Sequence, residues 1–120
     1  MRQNVIKEKS FEFAVNAVSL FKTIQEQRRE FILTRQFLRS GTSIGANVRE
    51  GINAESKMDF IHKLGIAQKE CDETIYWLEL MHATGYIAEN EMSQMKNNAE
   101  ELMRIIRSII ITAKRNLKIS

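Results

Sequence analysis

Residues 39–51 read RSGTSIGANVREG, with Gly41 and Gly45 four positions apart and Gly51 closing the run, in a chain that has five glycines and no proline. Glycine inside a helix costs about 1 kcal/mol relative to alanine, so its use here calls for a compensating contact. Apolar and small residues around it recur at helical spacing: Thr34, Leu38, Gly41, Gly45, Val48 and Ile52 share one seam. A seam position with no side chain lets a neighbouring helix come close, and Gly41 and Gly45 are read as such close-packing sites. The alternative is a helix broken at Gly41, with GTSIG as a loop. A phosphate cradle is excluded, because no strand leads into GTSIG and no Gly-Lys-Ser/Thr follows it.

The flanking chain extends the helical reading. Phe60, Leu64, Ala67, Cys71, Thr74, Leu78 and Met81 alternate steps of four and three, as do Met92, Met95, Ala99, Leu102, Ile106, Ile109 and Ala113. A period of 3.5 is the seam of helices packed at a shallow angle, and period-two strand patterns do not occur. A first helix over about 4–29 is expected to bury Phe11, Ala14, Val18, Phe21 and Ile24. The polar run at 26–31 separates it from a second helix over about 33–51. Ser56 followed by Asp59 resembles a capping box that opens the third helix, and Gly51 and Gly85 are placed at left-handed C-terminal stops. Short connections favour antiparallel neighbours, so the expected fold is all-α: one domain, 1–120, forming an antiparallel up-down-up-down four-helix bundle.

With 43% apolar and 28% charged residues in 120, the chain reads as globular, and it lacks the apolar run of about 18 residues that a membrane span needs. No membrane partner is expected. The start, MRQNVIKEKSF, has no apolar secretion core, and Cys71 is the single cysteine, which fits a cytoplasmic protein. Charge is unevenly spread. Residues 1–69 carry 12 Lys/Arg against 7 Asp/Glu, residues 70–101 carry 1 against 8, and residues 102–120 carry 5 against none. Helices packed side by side partly neutralise one another, leaving the basic end to meet a polyanion.

Catalytic and metal chemistry find little support in these residues. Glu79 and His82 have the Glu-x-x-His spacing of di-iron bundles, with Asp59 and His62 as a looser copy, but both sit on one helix about 30 Å apart. They are read as surface residues, with no metal and no cofactor. Cys71 lies on a seam among Glu70, Asp72 and Glu73, the opposite of the electropositive setting that activates a thiol. Two surface features are more promising. Arg39, Ser43, Asn47 and Glu50 form a polar stripe, read either as a network that fixes helix register or as a recognition patch. Arg104, Arg107, Lys114, Arg115 and Lys118 form a basic end with no acid among them, read either as a complement to the helix dipole or as a phosphate-binding surface.

The residues Arg39, Ser43-Ile44, Asn47-Val48 and Glu50-Gly51 resemble the second-helix signature of the 23S rRNA-intervening-sequence proteins. The stretch SKMDFIHKLGIAQKECDETIYWLELMHATGYI, residues 56–87, resembles that family's third helix and following turn. Gly45 stands where proline is common in the family, and Arg49 where alanine is common. The resemblance implies a bacterial cytoplasmic protein, an antiparallel four-helix bundle, a ring-like homopentamer and no enzymatic activity. Some genes of the family lie within intervening sequences of large-subunit rRNA genes. A related bundle, the accessory variability determinant of diversity-generating retroelements, is a basic pentamer that binds nucleic acid and a reverse transcriptase. This chain is less basic, so that activity carries over weakly.

Self-assembly would also explain surplus apolar residues. Tyr76, Trp77 and Leu80 flank the third seam and Ile105, Ile110 and Ile111 the fourth, and a helix apolar on two faces usually has two neighbours. These six residues are the expected subunit interface. The expected function is therefore a non-enzymatic homo-oligomer with a basic rim for RNA or DNA. The alternative is an adaptor that binds another protein through the Arg39, Ser43, Asn47 and Glu50 face.

Overall fold

In the structure, a computed structural model, residues 2–119 are described, with side chains over 3–118. The four expected helices are α1 (Arg2–Arg28), α2 (Leu33–Ile52), α3 (Lys57–Ala83) and α4 (Glu89–Ile119). Each turn between them has a local chemical cause. After α1, Arg29 takes a left-handed φ of 51°. The Glu30 carboxylate then accepts hydrogen bonds from the N–H groups of Ile32, Leu33 and Thr34 at 2.9–3.1 Å, satisfying donors that the first turn of α2 leaves free. The Ser56 hydroxyl caps α3 by accepting from the Asp59 N–H at 3.1 Å. After Ala83 the chain reverses in a Schellman turn. The N–H of Tyr86 donates to the Met81 carbonyl at 2.8 Å and that of Gly85 to His82 at 3.0 Å, with Gly85 at φ 87°.

Polar pairs between helices fix their directions. Arg39 near the start of α2 meets Glu70 and Glu73 late in α3, while Glu50 near its end meets Lys63 early in α3. Lys96 early in α4 meets Glu79 late in α3, and Lys9 on α1 meets Glu101 on α4. The helices therefore alternate in direction around a square. α2 and α4 each pack on both α1 and α3, while the diagonal pairs make no close approach. The result is a rod of 53 × 21 × 21 Å.

The third and fourth seams hold as read. Leu64 through Met81 and Met95 through Ile109 at the expected positions are buried, with Phe60, Met92 and Ala113 at the ends half-covered. The other two helices depart from expectation. On α1 the buried stripe is Ile6, Ser10, Phe13, Ala17, Leu20 and Ile24; Phe11 and Val18 are exposed, and Ala14 and Phe21 are half-buried. On α2 the stripe is Thr34, Phe37, Gly41, Ile44, Val48 and Gly51, so Leu38, Gly45 and Ile52 lie at its edge.

Gly51 also departs from the C-terminal stop assigned to it. α2 runs on to Ile52, Asn53 forms the C-cap, and Gly51 lies buried where a Cβ would stand 2.6 Å from Leu64 Cδ2 and 3.2 Å from Lys63 Cβ. It is a helix-crossing residue. Residues 41–45 are helical, so the loop alternative fails. A Cβ on Gly41 would lie 3.3 Å from Ala17 Cβ, and one on Gly45 3.3 Å from the Ser10 carbonyl oxygen, placing both where α1 crosses α2. Beside that crossing, the Thr74 hydroxyl donates to Ser40 Oγ at 2.9 Å inside the core.

Candidate functional site

α4 carries the most distinctive surface. Arg104, Arg107, Lys114, Arg115 and Lys118 are all exposed. Steps of three and four through 104, 107, 111, 114 and 118 put them on one helix face, with Arg115 flanking, over about 21 Å of helix at roughly 1.5 Å per residue. Among the described residues, none of the ion pairs uses any of the five; the paired cations are Lys9, Arg39, Lys63 and Lys96. None of the five is held by a carboxylate of a described residue in a direct ion pair. Ile111 is 58% exposed in the middle of this stripe.

The six residues expected at a subunit interface do not form one surface. Trp77, Ile105 and Ile110 pack against the core, and Leu80 is half-buried. Trp77 leans toward α2, its indole N–H donating at 3.1 Å to the Glu73 carboxylate that also holds Arg39. Ile105 lies one helical turn beyond Glu101, on the side of α4 that faces α1. Tyr76 is exposed and meets Trp77 edge to face at 5.0 Å between centroids.

A second exposed apolar strip departs from the sequence reading, which places Phe11, Ala14 and Val18 in the core and does not single out Val15. Phe11 and Val15 are 55% and 53% exposed, and with Ala14 and Val18 they line an open groove on α1. The Arg49 guanidinium lies over the Phe11 ring, 5.4 Å from its centroid, so the strip leans toward α2. The signal was available in the pattern, since α1 is apolar on two faces as α3 and α4 are.

The polar stripe on α2 is engaged within the chain. The Arg39 guanidinium donates to Glu70 at 3.2 Å and to Glu73, the Ser43 hydroxyl to the Arg39 carbonyl at 2.6 Å, and the Asn47 amide to the Ser43 carbonyl at 2.9 Å. Glu50 pairs with Lys63 at 2.9 Å. The Arg39 and Glu50 ion pairs tie α2 to α3, and the Ser43 and Asn47 bonds are made within α2.

Titratable groups elsewhere are set for structure. Cys71 is fully buried, and burial, reinforced by the charges of Glu70 and Asp72 and only partly offset by Arg107, pushes its thiol up to about 12. It stays a protonated thiol and packs as a small apolar side chain. Burial alone would raise the Glu30 carboxyl, but the N–H groups of Leu33, Thr34 and Ile32 and the Thr34 hydroxyl hold it below its ordinary value. His62 and His82 sit near opposite ends of α3, and Glu79 is held by Lys96 at 3.0 Å. Among the described residues, no three of His, Cys, Asp and Glu come together as a metal site, and no helix is long and apolar enough to cross a membrane.

The sequence profile described as 23S rRNA-intervening sequence protein matches residues 2–108. That span takes in Arg104 and Arg107 and ends before Lys114. The chain is also similar to a crystal structure of a protein with unknown function from the S23 ribosomal protein family of Bacteroides thetaiotaomicron VPI-5482. The two are 49% identical with a TM-score of 0.90, covering 92% of this chain and 98% of the other. None of the curated proteins matches.

Proposed function

The chain belongs to the 23S rRNA-intervening sequence protein family, and on that footing we propose that it is a self-assembling bundle that binds nucleic acid through the outer face of α4. It works in the bacterial cytoplasm by binding and not by catalysis. Its copies form a ring, expected from the family resemblance to be a pentamer. One observation supports nucleic acid above other polyvalent partners: five exposed cations, none in an ion pair among the described residues, lie along about 21 Å of one helix face. Such an array suits the regular charge of a phosphate backbone and releases its counterions on contact. No aromatic residue stands among the five, so the contact reads backbone and not base sequence. The inert setting of Cys71 supports a binding role over thiol chemistry.

Five phosphate contacts give a slope of about −4.5 in log affinity against log salt, so affinity for a duplex falls about 500-fold from 50 to 200 mM salt. Fluorescence anisotropy with labelled 20-mer RNA and DNA duplexes and single strands measures it. Weak salt dependence, or no binding at 50 mM, would refute the proposal.

A further inference from the structure

Three of the four glycines inside helices face a close neighbour, Gly41 and Gly45 against α1 and Gly51 against Leu64 and Lys63 of α3, whereas a Cβ on Gly65 of α3 would meet nothing within 4 Å. Glycine at that position weakens the helix and relieves no crowding within the chain. We propose that Gly65 is a notch through which a nucleic-acid strand settles into the groove between α3 and α4, level with Arg107 and Lys114. This rests on the phosphate-binding reading of α4 given above and extends the contact onto α3.

Helix register places the notch beside the cations. α3 and α4 run antiparallel and are pinned together by Glu79 and Lys96 at 3.0 Å. Gly65 lies fourteen residues before Glu79, close to four whole turns, and so sits on the same side of α3, toward α4. Fourteen residues on from Lys96 along α4 is Ile110, and the cations one turn to either side of that level are Arg107 and Lys114. They lie eleven and eighteen residues past Lys96, close to three and five whole turns, so both share the side of α4 that faces α3. The Arg107 charge also reaches the Cys71 thiol on α3, where it opposes the upward pull of burial.

The surroundings of the notch suit an anion. The residues one turn from Gly65 along α3 are Ile61, His62, Gln68 and Lys69, none of them acidic, and residues 102–120 of α4 hold no acid. The nearest carboxylate on that side of α3 is Asp72, two turns on, or about 10 Å along the axis. Packed helix axes stand about 8–10 Å apart, so a strand lying over the groove touches both helices. Any side chain at 65 would project between that strand and the two cations, and glycine is the residue that lets backbone approach a ligand closely.

The test compares full-length wild type, Gly65→Ala and Gly65→Gln by fluorescence anisotropy with labelled 20-bp RNA and DNA duplexes from 50 to 200 mM salt, with thermal melts and light scattering on the same samples. Neither substitution removes a charge, and both variants should melt at or above the wild type, because the added atoms meet open space and glycine's helix penalty is removed. Affinity at 50 mM salt for the duplex that wild type binds more tightly is expected to fall about twofold for alanine and about tenfold or more for glutamine, as the strand is held off Arg107 and Lys114. A wild type that does not bind at 50 mM salt, or binds with weak salt dependence, would overturn the phosphate-binding reading itself. Steeply salt-dependent wild-type binding that Gly65→Gln matches would overturn the notch and leave that reading standing. So would a Gly65→Gln that melts below the wild type, which assigns Gly65 to the chain's own packing, or one whose mass falls along with its affinity, which assigns the notch to a second copy.

Discussion

Four glycines lie inside helices, and they differ in what an added methyl would meet, so their alanine substitutions form an internally controlled series. A Cβ on Gly65 of α3 would have nothing within 4 Å, whereas one on Gly51 would stand 2.6 Å from Leu64 Cδ2. Gly41 and Gly45 are intermediate, at 3.3 Å from Ala17 Cβ and from the Ser10 carbonyl oxygen. Every replacement regains the helix propensity that glycine forfeits, about 1 kcal/mol. That common term cancels when one variant is compared with another, leaving the packing cost alone. Leu64 is 1% exposed, so its methyl has no solvent to turn into, and overpacking a closed core costs about 1–3 kcal/mol. Gly65→Ala is therefore expected to raise stability by about 0.5–1 kcal/mol. Gly51→Ala should be less stable than Gly65→Ala by about 1–3 kcal/mol, or about 4–12 °C in melting temperature for a chain of this length. Thermal melts followed by circular dichroism at one fixed protein concentration would measure the gap, with Gly41→Ala and Gly45→Ala falling between. Gly51→Ala melting at or above Gly65→Ala would refute the close crossing of α2 and α3.

Three further outcomes follow from single groups. The Glu30 carboxyl has a lowered folded value, so its contribution is present above the ordinary glutamate range and is lost as pH falls through the folded value. Glu30→Gln should lower the melting temperature at pH 7 and shrink the wild-type loss on acidification, checked by melts between pH 7 and 3. Cys71 should resist a maleimide at pH 8 in the folded chain and react at once in guanidinium, with unfolding setting the rate. Ser56→Ala removes the hydroxyl that caps α3 and should cost about 1 kcal/mol in urea unfolding at neutral pH.

The fold was legible where burial had one neighbour on each side and large apolar residues marked the seam, as on α3 and α4. On α1 the reading fails because the pattern weighs large residues above small ones, and there the buried stripe includes small residues while a large one lies outside. Ser10 and Ala17 are fully buried because Gly45 and Gly41 on α2 press against them, while Phe11 and Val18 remain outside. Such small-against-small complementarity belongs to the pair of helices and is invisible in either alone. Gly51 was misread for a related reason: a glycine near a helix end suits both a left-handed stop and a tight crossing, and only the position of Leu64 distinguishes them. For the surface, the cations of α4 were legible as a group from composition. That they lie on one face around Ile111, outside the ion pairs of the described residues, required knowing which cations Glu70, Glu73, Glu79 and Glu101 hold.

The central claim is that α4 meets phosphate, and the slope of affinity against salt counts the cations that do so. Arg107→Gln with Lys114→Gln removes two cations from the stripe at exposed positions. With a 20-bp RNA duplex, log affinity against log salt is predicted to flatten by about 2 relative to the wild type, with binding weaker at low salt. An unchanged slope in a variant that is still folded would contradict the account.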